Sequence, residues 1–167
     1  MKNQIAVCMC IACLLGASFA FAQSTTPNHV FPPLAVASAN GQLEMVQEQI
    51  KAGADVNASS ADGMNALAMA ILFNHADIVK ALLQAGANPS ATMNDGYTML
   101  MLAAEFSDNH NEFACNIEVM ELLLAAGVDV NAKSDDGTTA LDLAIRNDSF
   151  PSCRQKKVSM LKAAGAQ

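Results

Sequence analysis

The chain has 167 residues, is 52% apolar and only 15% charged, and carries a formal net charge of −7. Apolar content that high excludes an intrinsically disordered chain. The excess of acid excludes a binder of phosphate backbones, which must neutralise charge with Lys and Arg.

The first segment, "MKNQIAVCMCIACLLGASFAFAQ", places one positive residue, Lys2, before an apolar run from Ile5 to Leu15. Ala20 and Ala22 then supply the small residues that a signal peptidase reads. Residues 1–22 are therefore expected to be a secretory signal cut after Ala22, followed by a linker over 23–32. Two alternatives stand beside it. An uncleaved anchor would use the apolar stretch from Ile5 to Ala22. A lipoprotein would use Cys13, although the apolar run continues past that cysteine. Cleavage leaves 145 residues, enough for one sizeable core, with a net charge of −8. The acidic charge supports solubility, and no further apolar run is long enough to span a bilayer, so no membrane contact is expected after cleavage.

From residue 33 onward the chain repeats. "AG" recurs at Gly53, Gly86, Gly127 and Gly165, and Asp-Gly recurs at Gly63, Gly96 and Gly137. A fixed period in this range predicts a solenoid. Each unit begins with a short apolar helix: "PLAVASAN" (33–40), "ALAMAILF" (66–73), "MLMLAAEF" (99–106) and "ALDLAIRN" (140–147). A second helix follows: 43–52, 76–85, 117–126 and 156–164. Its apolar residues fall at three- and four-residue spacing, as at Ile78, Val79, Leu82 and Leu83, which gives one buried stripe. The segments between "AG" and "DG" are rich in Asn, Asp and Ser and predict tight turns. One unit cannot bury a core alone, whereas stacked units can.

The "GADVNA" segment and the DG turn resemble the ankyrin repeat over about residues 33–166. The resemblance implies an all-α solenoid of four helix-turn-helix units with protruding turns, over about 33–61, 62–94, 95–135 and 136–167. The family's T-P-L-H motif is altered. It reads Pro32-Pro33-Leu34-Ala35, Asn65-Ala66-Leu67-Ala68, Thr98-Met99-Leu100-Met101 and Thr139-Ala140-Leu141-Asp142, without the histidine throughout. That departure weakens the bonding which usually ties neighbouring units. The last helix holds half of the mature chain's basic side chains, Arg154, Lys156, Lys157 and Lys162. They are expected to form a solvated outer face where no further unit stacks.

Units three and four are longer than unit two by 8 and 5 residues, counted between equivalent core leucines. The insertions lie between the two helices, at 107–115 and 148–153, and each ends in a cysteine. Cys115 and Cys153 both stand 12 residues before the "AG" glycine, and they are the only cysteines left after signal cleavage. In an oxidising compartment they are expected to form a disulfide. The alternative is two free thiols, because stacked helices sit about 10 Å apart and a disulfide needs Cα atoms within about 7 Å. His110 and Glu112 with the cysteines lack the spacing of a metal site or of a zinc deaminase. His75 reads as structural. No cofactor, metal or catalytic constellation is expected, and the chain reads as a monomeric, non-enzymatic protein.

In ankyrin proteins partners contact the turn tips and the exposed side of the first helices. Carried over unit by unit, the resemblance implies a partner-binding set of Met64, Leu72, Phe73, Met93, Asn94, Tyr97, Glu105, Phe106 and Asp135. Several of these are apolar or aromatic with an acidic border, the make-up of a binding patch. The alternative is that Leu72 and Phe73 pack beneath the unit-three insertion beside Phe106 and Phe113. The expected role is capture of a protein partner in the bacterial periplasm, as an accessory factor for a periplasmic enzyme. An immunity or inhibitor protein that occludes a toxin there is the other reading.

Overall fold

The structure is a computed structural model, and it describes residues 31–105, 115–146 and 151–167. The expected signal peptide, nearly all of the linker, Phe106 and most of the two insertions lie outside the described residues. Eight helices are described: α1 (Pro33–Ala39), α2 (Leu43–Lys51), α3 (Ala66–Leu72), α4 (Ala76–Gln84), α5 (Met99–Glu105), α6 (Ile117–Ala125), α7 (Ala140–Arg146) and α8 (Pro151–Ala163). They alternate as the first and second helices of four stacked units. Among the described residues the only strand-like pairing is two isolated antiparallel bridges at the turns, Ser59 with Asn65 and Thr92 with Thr98.

Small residues let the first helices stack closely. Ala37, Ala70, Ala103 and Ala144 recur at one position and are all buried. Leu34, Leu67, Leu100 and Leu141 recur three residues earlier and fill the space between units. The second helices add Val46, then Ile78, Val79 and Leu82, then Val119, Met120 and Leu123. Full burial of each such side chain contributes about 1.5–3 kcal/mol. The same helical position is buried at Ile78 and Val119 but 45% exposed at Met45, because no described unit precedes the first.

The altered T-P-L-H motif keeps its capping role in units two to four, whereas Pro32 of unit one gives no side-chain cap. Asn65 Oδ1 accepts from the Ala68 amide at 2.8 Å, and Thr98 Oγ1 accepts from that of Met101 at 3.2 Å. In unit four, Asp142 stands where the family has histidine. Its carboxylate accepts from Thr139 N and Oγ1 while Thr139 Oγ1 accepts from Asp142 N, a reciprocal capping box. These bonds hold the Asp142 carboxyl below its ordinary range. His75 supplies a tie between units: its Nε2 lies 3.3 Å from the Ala39 carbonyl. Gly41 beneath it has a φ of 70°, which favours glycine, and a Cβ there would fall 2.7 Å from the His75 ring, so the ring would have to shift.

Two expectations for the last unit need correction. Its second helix starts at Pro151 rather than residue 156, because Pro is pre-set for the first helical turn. Part of the apparent insertion is therefore helix, and it contains Cys153. Lys157 also departs from the solvated face. It is 1% exposed, and its ammonium donates to the Ala103 and Ala104 carbonyls at 3.0 and 2.9 Å. Those carbonyls close the last turn of α5, where the backbone lacks helical partners and the helix dipole favours a cation.

Candidate interaction surface

Three turns protrude between units, and each closes with the same two backbone bonds. Ser60, Met93 and Ser134 donate to the carbonyls of Met64, Tyr97 and Thr138 at 2.8–3.0 Å. Gly63, Gly96 and Gly137 donate back to Ser60, Met93 and Ser134. Successive tips are bonded to each other: Asn94 Nδ2 donates to the Ala61 carbonyl at 2.7 Å, and Asp135 N to the Asp95 carbonyl at 3.0 Å. The row is thus preformed. All three glycines have positive φ. The first two are also covered by the next tip: a Cβ would fall 2.9 Å from Met93 Cα at Gly63 and 2.8 Å from Asp135 Oδ1 at Gly96. At Gly137 nothing lies within 4 Å.

In units three and four the residue after the DG glycine is bonded to the residue that ends the first helix, eight positions on. In unit three the Tyr97 hydroxyl donates to the Glu105 carboxylate. In unit four Arg146 Nη2 donates to Thr138 Oγ1 at 3.2 Å. In unit two the equivalent residues, Met64 and Leu72, are both half-buried against the core. Tip and helix end therefore form one strip in units three and four, aromatic and acidic in the third and basic in the fourth, while the same two positions of unit two are apolar. Burial pushes the Tyr97 hydroxyl far above its usual range, and the Glu105 hydrogen bond and charge add to it. Tyr97 is accordingly a fixed donor at physiological pH. At the third tip, Asp136 is held down to about 2 by the Ser134 hydroxyl first and then by Thr138.

The sequence-derived set is brought to this strip in part. Asn94, Glu105 and Asp135 are exposed. Met64, Leu72, Phe73, Met93 and Tyr97 are half-buried and pack against the core, so the exposed chemistry is polar and the apolar groups lie beneath it. Phe73 also stacks on His75, with ring centroids 6.5 Å apart. Phe106 lies outside the described residues. Arg146, the helix-end position of unit four, joins the strip; its eight-residue spacing from Thr138 is the same as that of Tyr97 to Glu105.

Cys115 and Cys153 are joined, with Cα atoms 5.4 Å apart, which the early start of α8 permits. The bridge closes a loop of 38 residues' separation and is worth about 4 kcal/mol in the chain-entropy account. Among the described residues there is no group of three or more His, Cys, Asp or Glu able to hold a metal, and no helix long and apolar enough to cross a membrane.

A family model for ankyrin repeats in three copies matches residues 34–134, and a second, for ankyrin repeats in many copies, matches residues 112–162. The chain belongs to the ankyrin-repeat family. Its units are protein–protein interaction modules by class. Among curated proteins, none matches this chain.

Proposed function

We propose that the chain is a secreted, non-enzymatic accessory factor that binds one protein partner in the periplasm. It does so through the turn tips and the exposed ends of its first helices. The observation that carries this reading is the strip of bonded tip-to-helix pairs, Tyr97–Glu105 and Thr138–Arg146. Side chains already fixed by mutual bonds lose little conformational freedom when a partner arrives, so contact energy is not spent on ordering them. The leader sequence and the two cysteines support an oxidising, extracytoplasmic compartment.

The test uses the mature chain, tagged and unreduced, as bait in native periplasmic extract. Wild type and the control Lys80→Glu, on the exposed side of α4, are expected to retain one stoichiometric partner. A Glu105→Lys/Asp135→Lys double variant is expected to lose affinity by about 10-fold or more; its melting transition is lowered by the lost Tyr97 bond but stays cooperative, and binding is compared below that transition. Equal retention by the charge-reversed chain would remove this face from recognition. Absence of any stoichiometric partner would sink the accessory reading.

A further inference from the structure

The last helix is attached unlike the others. The second helices of units two and three bury Ile78, Val79 and Leu82, and Val119, Met120 and Leu123. The fully buried stripe of α8 is Cys153, Lys157 and Leu161, at four-residue spacing. Two of its three buried anchors are thus half a disulfide and an ammonium; Leu161 is the aliphatic one, with Val158 and Met160 half-buried against the core beside it. Desolvation depresses the Lys157 pKa to about 8, so that anchor is opposed by its own burial. Among the described residues unit four packs against unit three alone, and a unit with a single neighbour opens independently of the rest.

We propose that the Cys115–Cys153 bond is a redox latch on the last unit: oxidised, the array has four ordered units; reduced, α8 detaches and three remain. The chemistry is thiol–disulfide exchange with a dithiol. One donor thiolate attacks a sulfur of the bridge and forms a mixed disulfide, expelling the other cysteine as a thiolate. The donor's second thiolate then closes its own disulfide and expels the remaining cysteine. The chain gains two electrons and two protons as two thiols, and the donor is oxidised. Cys115 and Cys153 are 5% and 3% exposed, so attack follows local opening and the latch responds slowly.

Detachment has a defined consequence. It uncovers the side of α7 that packs against α8 and removes the ammonium from the carbonyls that close α5. Glu105, the end of the recognition strip in unit three, sits on that turn. Any effect on partner capture rests on the proposed function; the latch itself does not.

The experiment is hydrogen exchange by mass on the full mature chain in three states: unreduced, reduced with dithiothreitol, and as the Cys115→Ala/Cys153→Ala variant. Alkylation counts the thiols. In the reduced and variant chains, amides of 155–163 are expected to lose protection by about 100-fold or more, while those of α3 and α4 change less than about threefold. The variant decides the matter if dithiothreitol cannot enter the native chain. Retained protection over 155–163 overturns the latch, because the helix then holds without the bond. Loss of protection throughout α1–α6 also overturns it, because the bridge would be a staple for the whole array. Two alkylatable thiols in the unreduced chain remove its premise.

Discussion

Gly63 and Gly137 occupy the same place in two copies of one turn, with φ of 81° at both. Their surroundings differ, and so should their tolerance. Gly137→Ala meets nothing within 4 Å and faces only the cost of a left-handed backbone, about 1 kcal/mol. Gly63→Ala faces the same cost and also drives a Cβ to 2.9 Å from Met93 Cα, which is backbone and cannot swing aside. It should cost about 2–4 kcal/mol. Urea denaturation of the two variants checks this: equal losses would mean that the tips do not stack as closely as described. The DG motif was legible from sequence, because Asn, Asp and Gly have recognisable turn chemistry. Which glycine lies under a neighbour was not, since that depends on the next unit's tip, some 30 residues on. Tyr97 and Glu105 were singled out one at a time from their repeat positions; the bond between them needs the path of the turn.

At the scale of elements, the four first helices and the first three second helices were legible to within a residue at their ends, where periodicity and flanking turns agree. The eighth was not. Its hydrophobic pattern is broken by Arg154, Lys156 and Lys157, and a long cationic side chain ordinarily reads as solvent-facing. Lys157 is buried because α5 ends in open carbonyls within its reach, a feature of another unit. The sign of its pH effect follows. Burial lowers its pKa to about 8, with the nearby Glu105 charge pulling the other way. Below that value the group is charged in both folded and unfolded chains. Between about 8 and 10.4 the unfolded chain binds more protons, so the stability that this group confers rises with pH. The stability difference between wild type and Lys157→Met, in unreduced protein, should therefore shift in favour of wild type by on the order of 2 kcal/mol from pH 7.5 to 10. Taking the difference cancels the other titrating groups. A pH-independent difference would show that the ammonium is solvated.

The whole molecule is a row of interfaces, and its stability is close to a sum of neighbour terms. Two interfaces carry the same asparagine bridge. Asn57 Nδ2 donates to the Gly86 carbonyl at 3.2 Å, and its Oδ1 accepts from Asn88 N at 2.8 Å. Asn131 does the same to the Gly165 carbonyl and Gln167 N, at 3.1 and 3.0 Å. The junction of units two and three has Ser90 at that place, one step too short, and among the described residues no side-chain bond from it crosses to unit three. The local turn is nevertheless the same in all three: Asn57 N, Ser90 N and Asn131 N each donate to the side chain two residues earlier, at 2.9–3.0 Å. An asparagine at 90 would leave the backbone where Asn57 and Asn131 do, aimed at the Gly127 carbonyl and Asp129 N. Ser90→Asn should then raise stability by about 0.5–1.5 kcal/mol, as one more bridge of this kind. The reading is the urea midpoint, which should rise with an unchanged slope, because no new surface is buried. An unmoved midpoint would mean that units two and three meet at a different offset from the other pairs, with Pro89, which stands where Val56 and Val130 do, as the residue that sets it.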